Sequence, residues 1–222
     1  MKKTMNKKSA GSISIISGSD GPTSVFIVGR QHIKMTMKQR IDKMLFQLRK
    51  KYAAKTIKAN PHSMEQVAEY AKTKWGYTEM SPDTRSYQTE YKQLRASFLL
   101  QYQPQLLGDL AEVPKLQSHS EEAINIFLEQ HQKREKAAEE ISAELFDIDL
   151  CILHKEASSL FSRILLESNY NYIGGSASGN KREMKKYNKI YREIYRYYGV
   201  SQKDIDDKSK RYEDVIRALA RI

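Results

Sequence analysis

The sequence has little of what stabilises small secreted domains or spans a membrane. Among 222 residues Cys151 is the single cysteine, so no internal disulfide can form, and such usage is typical of a reducing compartment. No apolar run approaches the ~20 residues of a spanning helix. The mean hydropathy is −0.68, and 29% of the residues are charged. The basic start Met1–Lys8 lacks the apolar segment that follows in a signal peptide. We therefore expect a cytoplasmic protein without a membrane span.

Arrangements that carry catalysis or hold metals are also scarce. The five histidines are scattered without an H-x-x-x-H pair or a Cys/His cluster, so a metal site built on histidine is not indicated. Cys151 and His154 are three residues apart in a predicted strand and would point to opposite faces. Asp147 and Asp149 share a strand face, which is either its solvated side or, with Asp20, a carboxylate cluster for a cation. No motif identifies a cofactor, and the sequence favours a protein that is not an enzyme.

Positive charge is concentrated at the two ends of the chain. The net charge is +11 overall, with 14 Lys and Arg against 2 Asp and Glu in residues 1–60. Residues 118–170 carry 5 Lys and Arg against 11 Asp and Glu, and residues 171–222 carry 13 Lys and Arg against 7 Asp and Glu. One interpretation is that the basic ends and the acidic middle attract each other in the fold. The other is a basic surface made jointly by the two ends, suited to nucleic acid or another polyanion.

Two patterns predict strands. Ser12–Ile16 and Ser24–Val28 are rich in Ile and Val and flank the turn-forming segment 18–23, as in a β-hairpin. Phe146–Ile152 alternates between apolar and polar residues, which predicts a strand. Leu160–Glu167 is either its partner strand or a helix, since Ile164-Leu165-Leu166 breaks the alternation. A turn is predicted at His154–Ser159 between them.

The remaining patterns predict helices. The first helix is expected at Thr36–Lys58, where Ile41, Met44, Leu45, Leu48 and Tyr52 share one face. Further helices are predicted at Pro61–Lys74 with Asn60 as the N-cap, at Pro82–Tyr102, from Ser118 to Glu140, from Ser176 or Ser178 to Tyr198 with Gly199 as the C-cap, and after Ser201. Gln105–Glu112 is predicted as a short turn or helix. The fold class is thus α+β, an antiparallel sheet of two hairpins covered by six to seven helices. A basic flexible tail, residues 1–11, precedes one domain at residues 12–222.

A glycine-rich segment before the penultimate helix is the first candidate binding site. Glycine-rich turns that enter a helix offer backbone N–H groups to an anion, and basic residues at the helix start add charge. The residues predicted to bind a phosphate here are Gly174, Gly175, Ser176, Ser178, Gly179, Lys181 and Arg182. Asn180 occupies the position where a P-loop has lysine. The alternative is a loop whose glycines have positive φ and whose polar residue caps the helix.

The helix that follows is amphipathic. Its apolar side is formed by Met184, Tyr187, Tyr191, Ile194 and Tyr198. A basic stripe lies roughly opposite at ~100° per residue and consists of Lys181, Lys185, Lys189, Arg192 and Arg196. Such a stripe can follow a phosphate backbone or can simply be a solvated face. The tyrosines are on the wrong side to stack on bases, which lowers the case for single-strand recognition by stacking.

The segment Gly18-Ser19-Asp20-Gly21-Pro22-Thr23-Ser24-Val25-Phe26 resembles a motif of the β subunit of sodium-ion-translocating decarboxylases. The likeness covers about 17 of the 222 residues. In that family the motif lies in a broken helix inside the membrane. The resemblance implies that Asp20 binds a sodium ion and that Gly21, Pro22 and Thr23 shape the backbone beside it.

These observations lead to three functional hypotheses. The favoured one is non-enzymatic binding of a polyanionic partner, nucleic acid or a phosphate-bearing ligand, through the basic stripe and the glycine-rich segment. The second is a role like that of the decarboxylase β subunit, with a cation site or a docking contact on a membrane complex at Asp20. The third is a small enzyme that holds a phosphate at the glycine-rich segment.

Overall fold

The computed structural model describes residues 36–112, 121–157 and 160–221. The helices in these ranges are α1 Met37–Thr56, α2 Met64–Trp75, α3 Arg85–Tyr102, α4 Glu121–Glu140, α5 Lys181–Tyr198, α6 Gln202–Asp207 and α7 Lys210–Ala220. The strands are β1 Thr78–Glu79, β2 Leu150–Ala157, β3 Leu160–Glu167 and β4 Tyr172–Ser178. A 3-10 segment, Pro104–Ala111, follows α3 and is interrupted at Gly108.

The strands form one antiparallel sheet in the order β1-β2-β3-β4. Leu153 of β2 lies opposite Ile164 of β3, which in turn lies opposite Gly175 of β4. The predicted α+β class, with an antiparallel sheet and a helical cover, is confirmed. The hairpins of this sheet join β2 to β3 and β3 to β4. The hairpin predicted at Ser12–Val28, its Asp20 and the tail of residues 1–11 lie outside the described residues.

The second predicted hairpin is present, but its first strand is displaced along the chain. Strand β2 begins at Leu150 rather than Phe146 and continues through His154, where a turn was predicted. The displacement has a local cause, because the backbone N–H of Asp149 donates to the side chain of Glu167 at 3.1 Å. The fully buried Glu167 carboxylate also accepts from the N–H groups of Asn169 and Tyr170. At this point the N–H of Asp149 bonds to a side chain, while its carbonyl oxygen accepts from the backbone N–H of Ser168 at 3.0 Å.

Apolar side chains pack on both faces of the sheet. Ile164 and Leu153 join the core under α2, α5 and α7, together with Ile194. Neighbouring residues of the same strands point the other way, and Leu165 packs with Phe98 in the core under α3 and α4. This alternation along β2 and β3 follows from the two-residue period of a strand. The sheet is therefore the middle layer between two groups of helices.

Several helices begin at a later cap than the sequence predicted. Helix α2 is capped by Ser63 rather than Asn60, and Asn60 instead donates its N–H to Val200 O at 2.9 Å. Asn180, and neither of the predicted serines Ser176 and Ser178, caps α5. The expected last helix is two helices, α6 and α7, since Lys208 between them has φ 49°. A left-handed residue of this kind ends a helix.

Helix α1 differs most from the usual behaviour of an amphipathic helix, in which the apolar stripe faces the core. Its buried residue is Ala53, which lies beside α7, and Phe46 on the same side is half-buried. The apolar stripe is instead exposed to solvent. Its members and their exposed fractions are Met37 71%, Ile41 48%, Met44 57%, Leu45 40%, Leu48 54% and Tyr52 71%.

Candidate polyanion-binding site

The glycine-rich segment is a strand up to Ser178, so the loop predicted there is wrong, and Gly179 lies in a bend between β4 and α5. Gly174, Gly175, Ser176 and Ser178 all belong to β4, and the first two are buried. A Cβ on Gly175 would lie 2.3 Å from the hydroxyl oxygen of Tyr187, and one on Gly174 would lie 2.6 Å from that of Tyr172. These glycines therefore let tyrosines approach the strand closely. Phosphate binding by this segment stays a prediction. The glycine-rich loop on which that prediction was based is not formed.

The start of α5 already satisfies its own backbone donors. The side chain of Asn180 accepts from the N–H groups of Arg182 and Glu183 at 3.0 and 3.1 Å. The Glu183 carboxylate accepts from the N–H of Asn180 at 3.4 Å, which completes a capping box. A phosphate at this helix end would compete with both groups. The exposed Lys181 and Arg182 can contribute charge there, but the geometry does not form an anion cradle.

The buried side of α5 is fixed to the sheet through its tyrosines. Tyr187, Tyr191, Ile194 and Tyr198 are buried as predicted. The hydroxyls of Tyr191 and Tyr195 both donate to Ile173 O, at 3.2 and 2.8 Å. Burial raises the pKa of Tyr195 well above its usual range, so this hydroxyl keeps its proton and remains a donor. The orientation of α5 is therefore set by both packing and hydrogen bonds.

Because the tyrosines point inward, the basic stripe of α5 faces solvent. Lys181, Lys185, Lys189 and Arg196 are exposed, and Arg192 is half-buried. The five residues fall within an arc of about 80° at ~100° per residue. Arg196 contacts the half-buried Glu193 on the same helix at 2.7 Å, and its own side chain is 56% exposed. The predicted stripe is thus presented as one continuous surface.

The C-terminal half of this stripe borders a groove between α1, α5 and α7. The groove has a volume of about 430 Å³. Its apolar floor includes Ala53, Ile57, Val215 and Leu219. Four cationic residues line it, Arg49, Lys58, Arg192 and Arg196, and of the described residues no Asp or Glu does so. Like charges that converge without a lining carboxylate favour the binding of an anion there.

The groove is held open by a junction between the segment after α1 and the end of α5. Arg211 of α7 donates to the carbonyl oxygens of Gly199 and His62, at 3.0 and 2.9 Å. Its guanidinium lies 3.8 Å from the centre of the Tyr198 ring. Asn60 N bonds to Val200 O on the same junction. These contacts place Lys58 and the end of α1 beside Arg196.

Two of the groove cations were not among the predicted site residues. Arg49 and Lys58 come from the basic first 60 residues, whose charge excess was the available signal. A joint surface of the two chain ends was one of the two interpretations of that excess, which could not identify the residues that meet. The contact between α1 and α7 brings these two residues to α5.

Of the carboxylates considered for a cation site, that of Asp147 is engaged in local structure. Asp147 accepts hydrogen bonds from the hydroxyl of Tyr91 and from the N–H of Ile148. Burial, followed by this bond to Asp147, raises the pKa of Tyr91 to about 12. Across residues 36–112, 121–157 and 160–221, no three His, Cys, Asp or Glu side chains converge as a metal site requires. The predicted sodium ligand Asp20 is not among those residues.

The Cys151 thiol is expected to react slowly in the folded protein. Burial, with a smaller contribution from Glu79, raises its pKa to about 11. The thiolate is the nucleophile, so alkylation by iodoacetamide at about pH 8 should be roughly 100-fold slower in the native protein than in concentrated urea. Mass spectrometry of timed samples measures both rates. Equal rates in the two states would contradict the raised pKa.

None of the helices within the described ranges is long and apolar enough to cross a bilayer. The chain was also compared with protein-family models, with curated proteins and with solved structures. No family model, curated protein or solved structure matches it.

Proposed function

We propose that the protein is a non-enzymatic binding protein for a polyanionic partner, nucleic acid or another phosphate-bearing chain, in the cytoplasm. The observation that supports this most directly is the groove in which Arg49, Lys58, Arg192 and Arg196 converge. The stripe of α5 extends this positive surface from Arg196 back to Lys181. Their combined charge suits a ligand that carries repeated negative charges rather than a single anion.

The dimensions of the stripe agree with a phosphate backbone. Lys181 and Arg196 are fifteen residues apart, a length of roughly 22 Å along a helix. A backbone lying along α5 can contact a cation on each successive turn, and the groove receives it at the C-terminal end. Four tyrosines of α5 are buried against the sheet, namely Tyr187, Tyr191, Tyr195 and Tyr198, and the half-buried Tyr197 already stacks on His62 and Tyr70. We therefore expect binding that depends little on nucleotide sequence.

Binding of this kind must weaken steeply with salt, because each phosphate contact releases counterions. Five contacts on a single strand give a slope of about −3.5 in a plot of log affinity against log salt. Between about 50 and 200 mM salt the affinity should fall roughly 100-fold. Fluorescence anisotropy with a labelled single-stranded oligonucleotide measures this dependence. An affinity that is constant over this range would contradict the proposal.

A triple variant of α5 tests the stripe itself. Lys185→Gln, Lys189→Gln and Arg196→Gln change exposed side chains and leave α1 intact. The salt slope should fall by about 2, and the affinity at low salt should fall at least ~10-fold. The matched control removes the same charge elsewhere, with Arg85→Gln, Lys136→Gln and Lys203→Gln, all exposed. Equal losses of affinity in the two variants would mean that binding depends only on the net charge of the protein, which would contradict a defined site.

A further inference from the structure

The exposed stripe of α1 requires a partner of its own. Met37, Ile41, Met44, Leu45, Leu48 and Tyr52 are each at least 40% exposed. At ~100° per residue they fall within an arc of about 100°, a continuous apolar face. The buried Ala53 lies on the other side of the helix. A nucleic acid backbone does not account for this face, because phosphates and sugars give it no apolar contact.

Charge decides between the possible occupants. Helix α1 carries seven Lys and Arg and one Asp. A second copy of α1 would bring the same excess to the contact. This addition of like charges beside the stripe is unfavourable. Residues 1–35 hold six Lys and Arg, and their apolar part, residues 9–29, offers the single carboxylate of Asp20 against the seven cations of α1. The complementary occupant is apolar in its interior and anionic at its surface.

The Lys and Arg side chains of α1 flank the apolar stripe on both sides, where they can contact the negative groups of such an occupant. Arg40 and Lys51 border one side of the stripe, and Lys38 and Arg49 border the other, by the same helical geometry. Five of the seven cations of α1 are lysines. Lysine is depleted in protein–protein interfaces, whereas at a lipid surface its long side chain can reach the headgroups while the helix is immersed. This composition favours lipid over an acidic protein.

We propose that α1 docks in the plane of an anionic lipid bilayer. The stripe enters the boundary between headgroups and acyl chains, and the bordering lysines and arginines contact lipid phosphates. The body of the protein does not obstruct this approach, since residues 37–45 are all exposed and α1 packs on α7. The proposal does not rest on oligonucleotide binding at α5.

Vesicle co-sedimentation of the full chain tests this docking. The protein should bind vesicles of phosphatidylcholine with about 25% phosphatidylglycerol at least ~10-fold more tightly than vesicles of phosphatidylcholine alone. The variant Ile41→Gln, Met44→Gln, Leu48→Gln keeps the charge and the helix propensity of α1. Its binding to the anionic vesicles should fall by ~10-fold or more, because three inserted apolar side chains are lost.

A matched control tests whether vesicle binding depends on α1 or on any exposed apolar side chain. Ile126, Leu128 and Leu145 are similarly exposed, at 49%, 45% and 62%, and lie outside α1. Changing these three to Gln should alter vesicle binding by less than about twofold. The α1 variant should also bind the oligonucleotide as the wild type does, so failure of either proposal can be recognised separately.

Three outcomes would overturn the docking proposal. The first is equal vesicle binding by the wild type and the α1 variant. The second is binding that does not depend on anionic lipid. The third is a wild-type dimer in light scattering that the α1 variant abolishes, since the stripe would then be a contact between two copies.

Discussion

Replacing Gly199 with alanine should lower the free energy of unfolding by roughly 3 kcal/mol or more. Gly199 ends α5 with φ 58° and ψ −165°, a backbone conformation that is essentially restricted to glycine. An added Cβ would lie 2.0 Å from the carbonyl oxygen of Asn60. This contact is with backbone, so no side-chain rotation can relieve it. The segment around Asn60 would have to separate from the end of α5, which would also widen the groove.

Gly108→Ala is the matched control for this prediction. Gly108 has φ 53° and ψ −130°, but an added Cβ would meet no atom within 4 Å. Gly108→Ala should therefore lower the free energy of unfolding through backbone strain alone, by about 1–2 kcal/mol. Urea unfolding followed by circular dichroism measures both variants. Equal decreases in the free energy of unfolding would show that Asn60 can move away from residue 199 without cost, which would contradict the structure.

Arg95→Met should destabilise the protein by roughly 3–5 kcal/mol. The Arg95 side chain is buried and joins α3 to the end of α4 and the chain beyond it. It donates to four carbonyl oxygens, those of Ala138, Ile141, Ser142 and Phe146. Methionine has similar length but no donor, so the variant would leave these acceptors without the guanidinium. Two of the four bonds, to Ile141 and Phe146, are 2.7 Å long.

Lys92→Met gives the comparison for Arg95. Lys92 lies one turn earlier on α3, and its ammonium contacts Glu139 at 2.9 Å with both side chains nearly half exposed. Exposed pairs of this kind contribute within about 1 kcal/mol, so this variant should remain close to the wild type. Chemical denaturation provides both free energies. If Arg95→Met lowered the free energy of unfolding no more than Lys92→Met, the hydrogen bonds from Arg95 to the four carbonyl oxygens would not contribute to stability.

The regularity of α5 made it the most predictable element. Its tyrosines recur at helical spacing, Gly199 follows its last turn, and both features are found as expected. The glycines before it were misinterpreted for a physical reason. A glycine-rich sequence is typical of loops, but in β4 the missing side chain of Gly175 makes room for Tyr187 and Tyr191. That requirement comes from a helix packed across the strand, which local sequence does not reveal.

Helix α1 shows a different limit of sequence patterns. Periodicity identified the residues that share its apolar face, and the structure places them on one side of the helix. It could not show what that face contacts, because this depends on where α7 meets the helix. A single small residue, Ala53, makes the buried contact, and alanine gives little signal in a hydrophobic pattern.

The candidate groove was only partly predictable for the same reason. Arg192 and Arg196 were evident from the stripe of α5, which is local in sequence. Arg49 and Lys58 are more than 130 residues away along the chain and reach the groove through tertiary contacts. A surface shared by the two ends was one of two interpretations of the uneven charge, and the identity of the neighbours required the folded chain.

The two tyrosine hydroxyls on Ile173 O have a consequence for self-association. A carbonyl oxygen has two lone pairs, and Tyr191 and Tyr195 occupy both. Ile173 belongs to β4, the last strand of the sheet, where an open edge would invite a strand from another molecule. An incoming strand would find this one acceptor already engaged. The same phenols that orient the helix thereby remove one backbone acceptor from those that β4 can offer to another molecule.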